Sequence, residues 1–153
     1  MKGYVMAAMT LGLAGASASA QTPERPPVER IGNIILKGKP LPFSNAVRAG
    51  DTVYLSGQIG MKPDGTVPAG FEAQARQTMD NIAGVLKSAG LGWGDVVKCT
   101  VMLENMADWP AFNPVYASYF PDGKFPARSA FGTDGLALGA LLEIECLAYA
   151  RRR

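Results

Sequence analysis

Four groups of residues carry the chemical possibilities of this chain. In Phe125-Pro126-Ala127-Arg128-Ser129 an arginine stands where an extended run begins, and its planar fork of donors suits a carboxylate held by two parallel hydrogen bonds. Leu142-Glu143-Ile144-Glu145-Cys146-Leu147-Ala148 sets two glutamates in an apolar strand, both on one face because strand side chains alternate. A carboxylate placed there can orient or deprotonate a water. Leu55-Ser56-Gly57-Gln58 ends a buried strand with a hydroxyl and a glycine, and Asn113 lies in an aromatic-rich helical segment. Each residue alone has a plainer reading: a surface arginine, a solvated strand face, a hydroxyl bonded to its own backbone, a helix-surface amide. Taken together, an arginine and a glutamate on separate strands of one sheet are expected to form one small polar pocket, a hydrolytic set.

That set matters because the 153 residues include no histidine. Histidine-activated serine or cysteine nucleophiles, histidine-containing zinc sites and the usual neutral-pH general base are excluded. Chemistry here falls to carboxylates, Arg, Lys, Tyr, Ser, backbone groups or water. The chain is 48% hydrophobic and 18% charged, as an ordinary globular domain is, with a net charge of +2. So small a charge gives no reason to expect nucleic acid as the main partner.

The elements that must position these residues follow from pattern. Ile34-Ile35-Leu36 reads as a first strand. Val47-Arg48-Ala49 and Thr52-Val53-Tyr54-Leu55-Ser56 flank a Gly50-Asp51 turn, which predicts a hairpin. Lys62-Pro63-Asp64-Gly65-Thr66 is a further turn. Ala75, Met79, Ile82, Leu86 and Ala89 recur at spacings of three and four, predicting a helix from Phe71 to Ala89 stopped by Gly90. Val96–Leu103 predicts a strand with Val97, Cys99, Val101 and Leu103 on one face. A second helix is expected from an N-cap at Asp108, with Pro110 in its first turn, to about Phe120, with Phe112, Val115, Tyr119 and Phe120 inward. Arg128–Phe131 and Leu141–Ala150 close the chain as strands around a glycine-rich stretch, 132–139. The order predicts an α+β domain with two helices on one face of a sheet.

Residues 1–20 have the layout of a secretory signal peptide: Lys2, an apolar run from Val5 to Ala14, and Ala18-Ser19-Ala20 before Gln21. The run is shorter than the roughly 20 residues of a spanning helix, so cleavage after Ala20 and a periplasmic or secreted product without membrane attachment are expected. Residues 21–32, proline-rich and charged, read as a flexible lead, and 33–153 as the single domain. Cys99 and Cys146 lie in apolar strands and are expected as small buried hydrophobes, since a bridge needs a register the sequence does not display.

Leu55-Ser56-Gly57-Gln58-Ile59, the helix around Gln74-Ala75-Arg76-Gln77-Thr78-Met79-Asp80-Asn81, Phe125–Ser129 and Glu143-Ile144-Glu145 together resemble the RidA/YjgF family from about Phe43 to Arg151. The resemblance implies a chorismate-mutase-like fold, a homotrimer with sites between subunits, and hydrolysis of 2-imino or 2-enamino acids without metal or organic cofactor. Carried over, Arg128 clamps the substrate carboxylate and Glu143 positions water. The backbone of Gly57 and Ala130 lies against the substrate, and Ser56 and Asn113 line the cleft. Phe43 stands where the deaminases carry a tyrosine, Ala130 replaces a cysteine that often follows the Arg-Ser pair, and 132–139 replaces a more charged connection. Two other functions stay open on these residues. One is a trimer that binds a small carboxylate through Arg128 without turnover. The other is nucleic-acid binding or cleavage, for which the basic cluster is Arg151-Arg152-Arg153.

Overall fold

The computed structural model describes residues 26–36 and 38–150. The expected leader (1–20) and the Arg151–Arg153 cluster lie outside them. Among the described residues, seven strands form one mixed sheet: β1 (Val28–Leu36), β2 (Lys39–Ala49), β3 (Thr52–Leu55), β4 (Gln58–Ile59), β5 (Val96–Leu103), β6 (Ala127–Gly132) and β7 (Leu142–Tyr149). Their order is β1-β2-β3-β7-β5-β6, with β4 continuing the β3 row beside β7. Only β5 and β6 run parallel; the other pairs are antiparallel. Two helices, α1 (Phe71–Ser88) and α2 (Trp109–Ala117), complete the α+β architecture. No helix of the described residues is long and apolar enough to cross a membrane.

Helix α1 follows its periodicity. Ala75, Met79, Ile82 and Leu86 are fully buried against β3, β4 and β7. It ends in a Schellman arrangement: Gly90 N–H donates to Lys87 O and Leu91 N–H to Leu86 O, with Gly90 at φ 73°, a conformation glycine adopts without steric cost. The Gly50-Asp51 hairpin forms with Ala49 opposite Thr52. Leu55, Cys99, Val101, Leu103, Leu142 and Ile144 on the sheet meet α1 and the Phe112, Val115 and Tyr116 face of α2.

Several expectations are corrected. The first strand starts at Val28 and pairs with β2 up to Ala49, so the last residues of the stretch read as a flexible lead are strand. The pairing of β5 with β7 shifts between Val96 and Lys98. This bulge turns Val97 outward, half exposed, and puts Val96 inside in its place. Asp108 makes no side-chain cap. Instead Asn105 Oδ1 accepts the Ala107 N–H of a 3₁₀ turn, Met106–Asp108, that leads into α2. Helix α2 ends at Ala117, short of the expected Phe120; Tyr116 on it is buried, and Tyr119 beyond its end is half-buried, its hydroxyl donating to Asp80 Oδ1 at 2.8 Å.

Cys99 and Cys146 are buried as expected, but they are joined in a disulfide rather than packed as separate small hydrophobes. They face each other across β5 and β7 with Cα atoms 4.1 Å apart. The pairing register, which no sequence pattern displays, is what brings them together.

Candidate active-site clefts

Arg128 is held from three sides. Strand β6 aims it toward α2, where its guanidinium carbon lies 4.3 Å from the Trp109 ring centroid and 4.5 Å from that of Tyr116. Its Nη2 donates to Asn113 Oδ1 at 2.7 Å. Trp109, Asn113 and Tyr116 recur at spacings of four and three, so one face of α2 presents all three. Stacking on the rings fixes the plane of the fork and leaves its other donors free to face the cleft. Burial lowers the Arg128 pKa from its ordinary value, opposed by the Tyr116 hydroxyl. Burial also pushes Tyr116 up to about 12, with Arg128 pulling the other way. No carboxylate of the described residues pairs with Arg128. The cleft in front of it, about 450 Å³, is lined also by Phe125, Pro126 and Ala130.

Glu143 sits in a second cleft of about 310 Å³ with Gly57, Phe43, Leu41, Ile59 and Leu138 among its walls. Strand β7 is anchored here by α1: the buried Gln74 Oε1 accepts the Leu141 N–H at 2.8 Å. Asn81 Nδ2 donates to Ile59 O and Met61 O, each at 2.8 Å, holding β4 beside β7. Gly60 allows the close approach, since a Cβ there would lie 2.8 Å from Gln74 O. The Glu143 carboxylate has no hydrogen-bond or ion-pair partner among the described residues. Its pKa is raised by burial and then by the charge of Glu145 on the same face.

Among the described residues, the two clefts share none. Register explains why. Arg128 lies opposite Cys99 and Ala130 opposite Val101, both buried under the helices. Glu143 lies opposite Met102 and Ile59, and alternates with the buried Leu142 and Ile144. Arg128 therefore points to the helix side of the sheet and Glu143 to the other side. The single polar pocket expected from the sequence does not form within one chain.

The remaining expected residues divide between the clefts. Asn113 and Ala130 line the Arg128 cleft; Phe43 and Gly57 line the Glu143 cleft. Ser56 lines neither. Its hydroxyl donates to Ser44 O at 2.7 Å, tying the end of β3 to β2. Sequence reasoning missed Trp109 and Tyr116, although their helical spacing with Asn113 marks a common face. It also missed the roles of Gln74 and Asn81, whose signal was polarity on a buried side of α1.

A family model described as Endoribonuclease L-PSP matches residues 38–150. The mouse protein named 2-iminobutanoate/2-iminopropanoate deaminase is 40% identical over 109 residues, 70% of this chain and 80% of its own length. The structure of the YjgF gene product from E. coli superposes with a TM-score of 0.72 at 36% identity, covering 80% of this chain and 99% of that one. E. coli TdcF, solved with bound serine, gives 0.71 at 32% identity, covering 80% and 94%.

Proposed function

The chain belongs to the RidA/YjgF family, and on that premise we propose that it hydrolyses 2-imino acids and their 2-enamino tautomers to 2-oxo acids and ammonia. The observation that carries this reading is Arg128, a partly buried guanidinium stacked between two rings and without a carboxylate partner among the described residues. A buried charge left unpaired is costly, and a substrate carboxylate is the partner its fork fits. Relatives named as 2-iminobutanoate/2-iminopropanoate deaminases, and one solved with a bound amino acid, support that class of ligand.

The chemistry asks little of the protein. An imine carbon is already electrophilic, so orientation and charge placement supply most of the catalysis. Glu143 accepts a proton from a water as its oxygen bonds to the imine carbon, and the C=N π pair moves to nitrogen. Glu143 returns that proton to the nitrogen, giving a carbinolamine; it then takes the carbinol O–H proton and passes it to the amino nitrogen, so that the C–N bond breaks, ammonia leaves and the carbonyl forms. In sum, R–C(=NH)–COO⁻ and water give R–CO–COO⁻ and ammonia. Burial and then the charge of Glu145 raise the Glu143 pKa above the ordinary carboxylate value, which makes the carboxylate a stronger base.

Arg128 and Glu143 face opposite sides of the sheet, so one copy cannot bring both to one substrate. We propose a homotrimer in which the Arg128 cleft of one copy meets the Glu143 cleft of the next. Tyr54, Val97, Phe131 and Tyr149, each about half exposed on the helix-free face, support burial of that face against further copies. The disulfide supports an oxidising compartment, in keeping with the export expected from residues 1–20.

The test generates 2-iminobutanoate in situ with an amino-acid oxidase and follows its loss. The protein should accelerate the loss, and Arg128→Ala and Glu143→Gln should each abolish it. Refolding the two variants together should restore about one quarter of the wild-type rate, the share of sites that draw an intact residue from each copy. A site within one copy predicts no restoration. A carboxylate-dependent rise in Tm without any turnover would favour the binding function instead.

A further inference from the structure

The Glu143 cleft is built for more than a carboxylate. Its polar lining is largely committed to the rim itself. Asn81 donates to Ile59 O and Met61 O and accepts from Gln77 Nε2, and Gln58 Nε2 donates to Ser56 O and Gly57 O. Glu143 is the one ionisable group in its lining, among the described residues. Ile34, Leu36, Leu41, Phe43, Met61 and Leu138 make the remaining surface overwhelmingly apolar. A space of about 310 Å³ is in the range that holds small organic ligands, and a methyl or ethyl substituent would leave most of these walls uncovered.

Leu138 adds an independent observation. Its φ of 57° is the only positive value at a non-glycine residue among those described. A γ-branched side chain in the left-handed region is disfavoured, and glycines stand close by at 135 and 139. Where backbone geometry favours glycine and leucine is present, the side chain itself is the reason. That side chain is 56% exposed, at a cleft that also contains Glu143 and the half-exposed Phe43.

We infer that this cleft receives the apolar substituent of the substrate. The preferred substrates are then 2-imino acids with branched or aromatic side chains, such as those formed by oxidation of leucine or phenylalanine. Leu138 is a specificity-determining residue that covers the substituent. The inference rests on the imine-hydrolysis reading above and names the substrate class for that site.

The experiment generates the imines of leucine and of alanine in situ and compares kcat/KM for the wild-type protein, Leu138→Asn and Leu138→Gly. Both replacements are compatible with positive φ. The wild type should favour the leucine imine by about tenfold or more, the discrimination a hydrophobic pocket gives for a few methylenes. Each variant should lose more with the leucine imine than with the alanine imine and bring the ratio toward one. A wild type that clears both imines equally, or a ratio unchanged by both variants, overturns the inference and leaves the hydrolysis reading intact. Equal losses on both imines together with a broken oligomer would show that a neighbouring copy occupies the cleft, and would also overturn it. A parallel binding arm compares the Tm shift given by 4-methyl-2-oxopentanoate with that given by pyruvate. If neither imine is cleared yet the larger oxo acid shifts Tm more, hydrolysis fails and the cleft assignment stands. If the larger oxo acid shifts Tm no more than pyruvate does, the assignment falls.

Discussion

Gly57→Ala tests the Glu143 cleft without removing any functional group. Gly57 has no positive φ, so alanine fits its backbone. An added Cβ would lie 2.8 Å from Glu143 Cδ, 3.1 Å from Cγ and nearer still to Oε1, where ordinary contact begins at 3.4 Å. The carboxyl carbon must retreat by at least about 0.6 Å and its oxygen by more than about 1 Å, a misplacement that costs on the order of 100-fold in rate. The obstructing atoms are the far end of a flexible side chain, so folding should be almost unaffected, and Tm should stay or rise as an alanine restricts the unfolded chain. The assay is steady-state clearance of an imine generated in situ, with Tm measured on the same samples. The loss should fall on kcat, because in the proposed mechanism the displaced group acts on the water and Arg128 holds the carboxylate. Gly60→Ala is the contrast: its Cβ would meet the Gln74 backbone at 2.8 Å and 2.9 Å, so it should lower Tm. Activity of Gly57→Ala within about threefold of wild type, or a loss confined to KM, would refute the assignment of Glu143 to the chemical step.

Three further outcomes are expected. Replacing Cys99 and Cys146 together by alanine should cost about 4 kcal/mol in urea denaturation under oxidising conditions, the loop-closure entropy expected for a separation of 47 residues; a loss below about 1 kcal/mol would contradict a bridge that constrains the unfolded chain. Arg128→Lys keeps the charge but loses the fork and its stacking between Trp109 and Tyr116. KM should rise by about tenfold or more, and an unchanged KM would argue against a two-bond clamp. With Glu143 as base, kcat/KM falls as pH drops through its pKa, which burial and Glu145 hold above the usual carboxylate value. Glu145→Gln removes one raising cause and should move that acid limb to lower pH; a limb that stays put would detach it from Glu143.

Most of the fold was legible because it rests on local periodicity. The α1 stripe, the stop at Gly90 and the alternation of Leu142, Ile144 and Cys146 each depend on neighbours in sequence, and each appears in the structure. What was missed depends on partners far along the chain. The β5 bulge at Val97 exists only relative to β7. The start of β1 at Val28 is fixed by β2, and Ile31 is the one residue of β1 that is buried. Asn105 outcompetes Asp108 as a cap because a 3₁₀ turn precedes the helix, a turn that propensity alone does not separate from α2 itself.

The site shows the same division more sharply. Placement in strand-like segments of a chain without histidine brought Arg128 and Glu143 forward as candidates, and the family resemblance supplied the roles proposed for them. Alternation fixes which neighbours share a face within one strand, so Glu143 goes with Glu145 and Arg128 with Ala130. It does not say how the faces of two strands relate, because that is decided by pairing: Arg128 with Cys99, Glu143 with Met102. Cys99 and Met102 are three residues apart, an odd number, and an odd offset along a strand reverses the face. That offset separates Glu143 from Arg128 in one copy, so the proposed hydrolysis, with one as base and the other as clamp, requires two copies to meet.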